Sequence, residues 1–417
     1  MATGSVQPCW DVVVAGGGPA GYFAAIRCAE LDPGLRVLVL ERASQTLGKV
    51  LISGGGRCNV THACFDPARL VTYYPRGADE LRGAFARFQA ADTVEWFESR
   101  RVPLKIEADG CMFPVTDSAE TIAEALRENA KKAGVVVRLG MSLAGAKKDP
   151  KNGFRLEVRR GADVLPIHTK KLLIATGGDR KSLEVARSLG HTVEDPVPSL
   201  FTFNVKDSRI AGLAGVSVEE VTLKMDSILQ RGPLLITHWG LSGPVVLRVS
   251  AWGARLLHEK KYRAKLIVNW LGDYSFDKAL EVLQRNKEWQ ENTRKKISTH
   301  PAFSQIPARL WKQLVHFLVE KNWGDVSKAD LRKLAEELTA GEFRIAGKGQ
   351  FKDEFVTCGG VKLNEVDFRT MQSRIVPGLF LAGEVLNIDG LTGGFNFQSA
   401  WTTGWLAGNA LAGQFSH

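Results

Sequence analysis

Residues 12–21 read V-V-V-A-G-G-G-P-A-G. Val12–Ala15 is a run of small and β-branched residues before a glycine cluster, the pattern of a strand buried on both faces. Gly21–Leu31 then reads as a helix and Arg36–Leu40 as a second strand, with Glu41 at its carboxyl end. Strand, glycine turn, helix and strand make a βαβ unit. In Gly16-x-Gly18-x-x-Gly21 the first glycine makes the tight turn. The second, beside Pro19 and Ala20, lets the backbone approach a pyrophosphate, and the third lets helix and strand pack closely. The phosphates then sit on the helix N-terminus. Glu41 follows at the spacing where a carboxylate accepts hydrogen bonds from a ribose diol.

The far end of the chain carries a second signal. Residues 379–398 read L-F-L-A-G-E-V-L-N-I-D-G-L-T-G-G-F-N-F-Q. Gly378–Ala382 is expected as a strand and Asn396 to Leu411 as a helix opened by Gly393-Gly394. The dipole of that helix would stabilise negative charge on a reduced flavin, and Glu384 would take a ribityl or ribose hydroxyl. The chain holds a single βαβ fingerprint, so no second dinucleotide domain is expected. One dinucleotide held by both ends of the polypeptide points to a tightly bound flavin.

A third stretch, residues 44–62, contains Lys49 and Ser53-Gly54-Gly55-Gly56-Arg57-Cys58-Asn59. Three consecutive glycines cost much entropy and supply no packing, so the backbone there is expected to approach something closely. Between the motifs, helices are expected over Glu80–Phe88 and Ala91–Arg100, and another capped by Asp117 or Ser118 and ending at Gly134. Val135–Leu139 reads as a strand. A hairpin is expected within 143–173, followed by a separate parallel strand Lys171–Ala175 leading into Thr176-Gly177-Gly178. After Pro196 and Pro198 the pattern changes. Strands are expected at Phe201–Val205, Val216–Met225, Gly232–Ile236 and Ala264–Asn269, and a helix after Ser242-Gly243-Pro244. Residues 276–340 read as mainly helical, with a capping box at Ser327–Asp330.

The expected fold is α/β: a Rossmann-like, glutathione-reductase-type dinucleotide domain with an inserted β-rich domain that carries a helical subdomain. The expected domains are 1–194 with 346–417, a β-rich part at 195–275 that extends to strands near 340–358, and a helical part at 276–345. The chain has 417 residues, enough for two or three domains. No apolar run is long enough to span a bilayer, and the first residues have neither a secretory nor a transit pattern. Cys9, Cys28, Cys58, Cys64, Cys111 and Cys358 form no C-x-x-C pair, which suggests a reducing compartment rather than disulfides or zinc. A cytoplasmic protein is expected, or an organellar one if a targeting segment has been removed. The net charge of +10 is spread over short pairs such as Lys147-Lys148 and Arg159-Arg160. It reads as a solvated surface, without stable nucleic acid or membrane as partner. No metal-ligand spacing and no G-x-S-x-G elbow is present.

The segments L-I-S-G-G-G-R-C-N-V-T (51–61), T-H-W-G-L-S-G-P (237–244) and G-E-V-L-N-I-D-G-L-T-G-G-F-N-F-Q (383–398) together resemble one family. It is the aminoacetone-oxidase-like, BaiN/YhiN-type family of FAD-dependent oxidoreductases, within the glutathione-reductase-like flavoproteins. The resemblance implies one non-covalent FAD. It implies Gly16, Gly18 and Gly21 at the pyrophosphate, and Glu41 with Arg42 at the adenosine ribose. It implies Lys49 and Ser53 through Asn59 along the pyrophosphate, ribityl chain and ring, and Leu143 at the adenine. Ala175-Thr176-Gly177 would close over the adenosine half. Gly383, Glu384, Gly393, Gly394, Phe395, Asn396 and Phe397 would meet the ribityl chain and flavin. The chain departs from the family pattern at Asn387, where an acid is usual, at Phe395, where Tyr is usual, and at Cys358, where a small apolar residue is common.

For catalysis the sequence offers weak candidates. Cys58 beside Arg57 would be reactive if the cation lowered its pKa. His238 would serve as a proton donor, and Cys358 is a third thiol. Packing roles compete for all three, as for His62, His191, Tyr73, Tyr74 and Phe113. The expected activity is hydride or electron transfer between FAD and a small organic substrate, with NAD(P)H as a transient donor. The alternatives are an O2-dependent amine-type oxidase and an RNA-modifying flavoprotein.

Overall fold

The structure, a computed structural model, describes residues 10–149, 153–289, 291–349 and 356–414. Cys9 lies outside them. The chain forms two compact units, Met1–Pro196 with Thr357–His417, and Val197–Val356.

In the first unit the strand Trp10–Ala15 lies at the centre of the main sheet. It pairs in parallel with Val37–Leu40 on one side and with Asp163–Ile174 on the other. Val136–Arg138 extends the sheet beyond Val37–Leu40, and Leu379–Leu381 extends it in parallel beyond Asp163–Ile174. Val12, Val13 and Val14 are wholly buried, as a parallel strand covered on both faces requires.

The helix Pro19–Leu31 packs on this sheet and against the helix Phe395–Leu411. Small residues make that contact possible. A Cβ at Gly404 would stand 2.6 Å from the Ala20 carbonyl oxygen, and one at Gly408 2.8 Å from that of Ala24. Arg27 Nε donates to Asn409 Oδ1 at 3.1 Å, and Lys171 Nζ donates to the Leu411 carbonyl at 2.6 Å. This backbone-close packing holds the two ends of the chain side by side.

One expectation changes. The hairpin is a three-stranded meander, Met141–Asp149, Gly153–Arg160 and Asp163–Ile174. Its last strand and the parallel core strand are one continuous element, because the backbone stays extended while its partners change. The second unit is a closed six-stranded antiparallel barrel in the order Phe203–Val205, Gly240–Ser242, Ile228–Ile236, Ser217–Met225, Ala264–Asn269 and Gly341–Lys348. Gly341–Lys348, within the 340–358 stretch expected to add strands to this part, closes it. The helices Phe276–Glu288, Ala308–Leu314 and Lys328–Ala340 form the helical part that the barrel carries. Leu283, Trp311 and Leu331 share one buried cluster with Leu223, Val268 and Phe343 of the barrel. The capping box forms as expected: Ser327 N donates to Asp330 Oδ2 at 2.9 Å, and Asp330 N to Ser327 Oγ at 3.1 Å.

Candidate functional site

The site begins where the strand Trp10–Ala15 ends. Gly16 has φ +113, and a Cβ there would stand 2.6 Å from the Ala175 carbonyl carbon and 2.9 Å from Thr176 N. The Ala175-Thr176-Gly177 turn therefore lies directly on Gly16, and only glycine fits between. Gly18 caps the helix Pro19–Leu31 with no side-chain bond, so the first-turn amides are not occupied by a cap. A Cβ on Gly18 would meet nothing within 4 Å. The space in front of this helix N-terminus is open, as an anion cradle needs.

Glu41 has a structural duty here. Its Oε2 accepts from Gly17 N at 2.9 Å and its Oε1 from Ala43 N at 2.7 Å. It staples the glycine turn to the end of the second strand and keeps lone pairs for a hydroxyl. Arg42 reaches past it to Asp179 at 2.8 Å, the N-cap of the helix Arg180–Ser188. Leu143 is buried in a strand that starts beside Glu41, where Met141 N donates to the Glu41 carbonyl at 2.8 Å.

Lys49 and Glu384, more than 300 residues apart, form an ion pair. A Cβ at Gly177 would lie 3.3 Å from Glu384 Oε2 and 3.9 Å from Lys49 Nζ. Thus Lys49, Gly177 and Glu384 converge at one place. Gly383 N donates to Thr403 Oγ1 at 3.0 Å.

The triglycine loop follows the short helix Gly48–Ile52. Gly54, Gly55 and Gly56 all have positive φ and are exposed. Leu47 and Cys58, at φ 62 and 61, bracket the loop in the left-handed region, a cost that concentrates at functional segments. With its amide oriented to satisfy its neighbours, Asn59 donates to the Thr61 carbonyl at 2.9 Å and accepts from Gly394 N at 3.2 Å. Gly394, at φ +90, has the Thr61 Cα 2.7 Å from a would-be Cβ. The loop thereby holds the turn that opens the helix Phe395–Leu411. That helix has no side-chain cap at Gly394. Asn396 instead closes the preceding loop, accepting from Gly390 N at 2.8 Å and donating to its carbonyl at 2.9 Å. Phe395 stacks on Tyr73 with centroids 4.2 Å apart and on His62 at 4.7 Å, while Phe397 stacks on Trp401 at 5.8 Å.

Two uncapped helix N-termini thus bound the site, one at each end of the chain. Thr176 Oγ1 and Asn387 Oδ1 are buried with no hydrogen-bond partner among the described residues. Buried polar atoms are nearly always paired, so both await one. Open cradle, unpaired acceptors and free helix amides fit the diphosphate and ring of a flavin dinucleotide.

The two candidate thiols are enclosed. Cys58 is fully buried, and burial pushes its thiol up to about 12. Arg57 turns away, stacked over the Phe113 ring at 4.1 Å and bonded to Glu107 at 2.6 Å. The activated-thiolate reading fails because the cation faces the acids and the sulfur faces the core. Cys358 is fully buried in the strand Val356–Val361. His238 lies on an exposed turn of the barrel between Ile228–Ile236 and Gly240–Ser242. His62 Nε2 lies 3.1 Å from the Asp109 carbonyl, and burial lowers its pKa.

The structure assembles a Ser–His–Glu relay that the sequence did not reveal. His191 Nε2 is 2.8 Å from Ser373 Oγ, and its Nδ1 is 2.9 Å from Glu365 Oε2. Ser373 Oγ also accepts from Ile375 N at 3.0 Å and Val376 N at 2.8 Å. With its lone pairs taken it is a turn brace, not a nucleophile. Among the described residues no His/Cys/Asp/Glu group is placed to hold a metal, and no helix is long and apolar enough to cross a membrane.

The chain is similar to known proteins along nearly its whole length. The family described as HI0933-like protein Rossmann domain matches residues 10–410. Ribosomal RNA dihydrouridine synthase of Escherichia coli K12 is 29% identical over 415 residues, covering 96% of this chain and 98% of that protein. The 3-dehydro-bile acid delta(4,6)-reductase of Clostridium scindens is 29% identical over 420 residues, with the same two coverages, 96% and 98%. Among solved structures, the 3-ketosteroid-delta4-(5alpha)-dehydrogenase of Rhodococcus jostii RHA1 shares the fold. Its TM-score is 0.53 at 16% identity, covering 99% of each chain. The protein belongs to the HI0933-like Rossmann family and is, with that family, a FAD-dependent oxidoreductase.

Proposed function

We propose that the protein is a reductase that uses FAD to saturate a carbon–carbon double bond conjugated to a carbonyl in a small organic molecule, with NAD(P)H as transient hydride donor. The observation that carries this is the chemistry shared by two relatives. A delta(4,6)-reductase acting on a 3-dehydro-bile acid and a dihydrouridine synthase are each 29% identical to this chain. Both names describe hydrogenation of an alkene conjugated to a carbonyl.

When bound, FAD would supply hydride transfer from the nicotinamide to the alkene carbon distant from the carbonyl, and a proton from solvent would complete the carbon beside the carbonyl. The residues of this chain hold and screen it. Gly18 and the first turn of Pro19–Leu31 would take the diphosphate, and Lys49 its charge. Glu384 and Thr176 would take hydroxyls of the ribityl and adenosine parts. The first amides of Phe395–Leu411 would face the ring edge that becomes electron-rich on reduction. Cys58, protonated and enclosed, neither attacks nor relays a proton.

The first unit has one dinucleotide fingerprint, which supports a nicotinamide that docks and leaves. Mixing the purified holoprotein anaerobically with NADH or NADPH tests this: the visible flavin band bleaches within the turnover time. No bleaching with either, together with rapid bleaching by an amine substrate, would replace the reductase with an oxidase.

The RNA reading has a specific observation in its favour. A second ribosomal RNA dihydrouridine synthase, from Haemophilus influenzae, is 28% identical over 423 residues, and this chain carries a net charge of +10. In that version the conjugated alkene is a uracil ring in RNA. Dihydrouridine content of ribosomal RNA from cells with and without the gene decides between the two substrates.

A further inference from the structure

The loop that opens the Phe395–Leu411 helix is held by the segment Tyr73–Arg76. Resting on the flavin reading above, we infer that Tyr73–Arg76 is a positioning clamp. It sets the loop Asp389–Gly394 and the first helical turn, and so tunes the bound flavin without touching it.

Four contacts define the clamp. Leu391 N donates to the Tyr73 carbonyl at 2.9 Å. The Tyr73 ring lies flat on Phe395, with centroids 4.2 Å apart and planes 11° from parallel. Tyr74 is wholly buried, and its hydroxyl donates to the Phe395 carbonyl at 2.6 Å. Arg76 grips Asp389 with a two-pronged ion pair, reinforced by a backbone bridge between the same residues. Asp389 is 0% exposed and Arg76 17%. A bidentate guanidinium–carboxylate fork fixes orientation as well as distance. Buried ion pairs are weak evidence of net stability, and fixing one arrangement is the best-attested reason to keep one. A Cβ on Gly390 would stand 3.0 Å from the Tyr74 ring, so that ring also forms the floor under the loop.

All four contacts converge on the turn that points the helix amides. The field a helix terminus exerts falls off within its first turn. A small reorientation of Gly393–Phe397 would therefore change how far the reduced ring is stabilised. A brace that served only stability would lower the melting point and leave the flavin's potential and spectrum alone.

The test uses the full-length holoprotein with Tyr74→Phe, Arg76→Lys and Arg76→Met, and reads three quantities. These are FAD affinity, the flavin midpoint potential with its visible spectrum, and hydrogen exchange of the 389–397 amides in FAD-stripped protein. Tyr74→Phe removes one hydroxyl and keeps the ring. It is expected to weaken FAD about fivefold, the worth of one hydrogen bond, to make the potential more negative, and to speed exchange at 395–397. Arg76→Lys, which keeps the charge and loses the fork, should fall between wild type and Arg76→Met. If Arg76→Met does not fold, Tyr74→Phe and Arg76→Lys carry the test. Unchanged potential, spectrum and exchange in Tyr74→Phe would overturn the clamp. Wild-type protein that binds no FAD would instead overturn the flavin reading, while the exchange measurement still judges the clamp.

Discussion

Substituting Gly18 by alanine is expected to weaken cofactor binding at least about 100-fold while leaving the fold intact, and Gly16→Ala to destabilise the fold itself. A Cβ at Gly18 meets nothing within 4 Å, and the residue sits at φ −90, where any residue is comfortable. Alanine is a poorer N-cap than glycine by about 0.5 kcal/mol, and it returns a similar amount by restricting the unfolded chain. The net change in stability should lie within about 0.5 kcal/mol of zero. The methyl would, however, stand in the space assigned to the diphosphate, and FAD affinity should fall at least about 100-fold, or roughly 2.7 kcal/mol. At Gly16 the methyl would meet the Ala175 carbonyl carbon at 2.6 Å and Thr176 N at 2.9 Å, both backbone, from a residue at φ +113. Left-handed strain of about 1–3 kcal/mol plus overlap with an immovable turn should cost about 4 kcal/mol or more. Urea denaturation of the FAD-free proteins gives the first quantity and fluorescence titration with FAD the second. Gly18→Ala protein that binds FAD within threefold of wild type would refute the placement of the diphosphate.

Other consequences follow from the same geometry. Thr176→Val replaces a buried unpaired hydroxyl by a methyl of like shape. It should stabilise the FAD-free protein by about 1 kcal/mol and weaken FAD several-fold, opposite signs readable by calorimetry. Gly404→Val drives a branched side chain into the Ala20 carbonyl 2.6 Å away. It should cost more than about 3 kcal/mol and release FAD, measured as a lower melting temperature and flavin lost on gel filtration. Burial raises the thiols of Cys28 and Cys58 to about 12 from 9.0. Both stay protonated in the folded protein while the unfolded chain ionises near 9.0. The stability they contribute is therefore complete below that pH and lost as pH rises towards about 12, by roughly 1.4 kcal/mol per pH unit for each thiol. Denaturation across this range should show a shallower pH slope for Cys58→Ala than for wild type, and an equal slope would remove the argument. For the same reason native Cys58 should resist alkylation at neutral pH, which mass spectrometry reports directly.

Some of this was legible in residue order alone, and the reason is locality. The turn at Gly16–Gly21, the strand Val12–Ala15 and the capping box at Ser327–Asp330 depend on neighbours a few positions away, so their patterns survive in one dimension. Contacts set by distant backbone left no such trace. That Asp163–Ile174 runs on from a meander into the parallel sheet depends on which partners flank it. That Gly341–Lys348 closes a barrel depends on strands more than 70 residues away.

Side-chain direction was equally hidden. Arg57 and Cys58 are adjacent, yet one faces Glu107 and the other the core, so the reactive pair suggested by order does not exist. Arg76 and Asp389 carried no mark of their pairing, because an ion pair has no spacing rule when 313 residues separate its members. The sequence by itself determined that two glycine motifs, at opposite ends of this chain, each open a helix suited to an anion. Tertiary structure decided that they open the same site, because Gly404 and Gly408 let the two helices meet backbone to backbone.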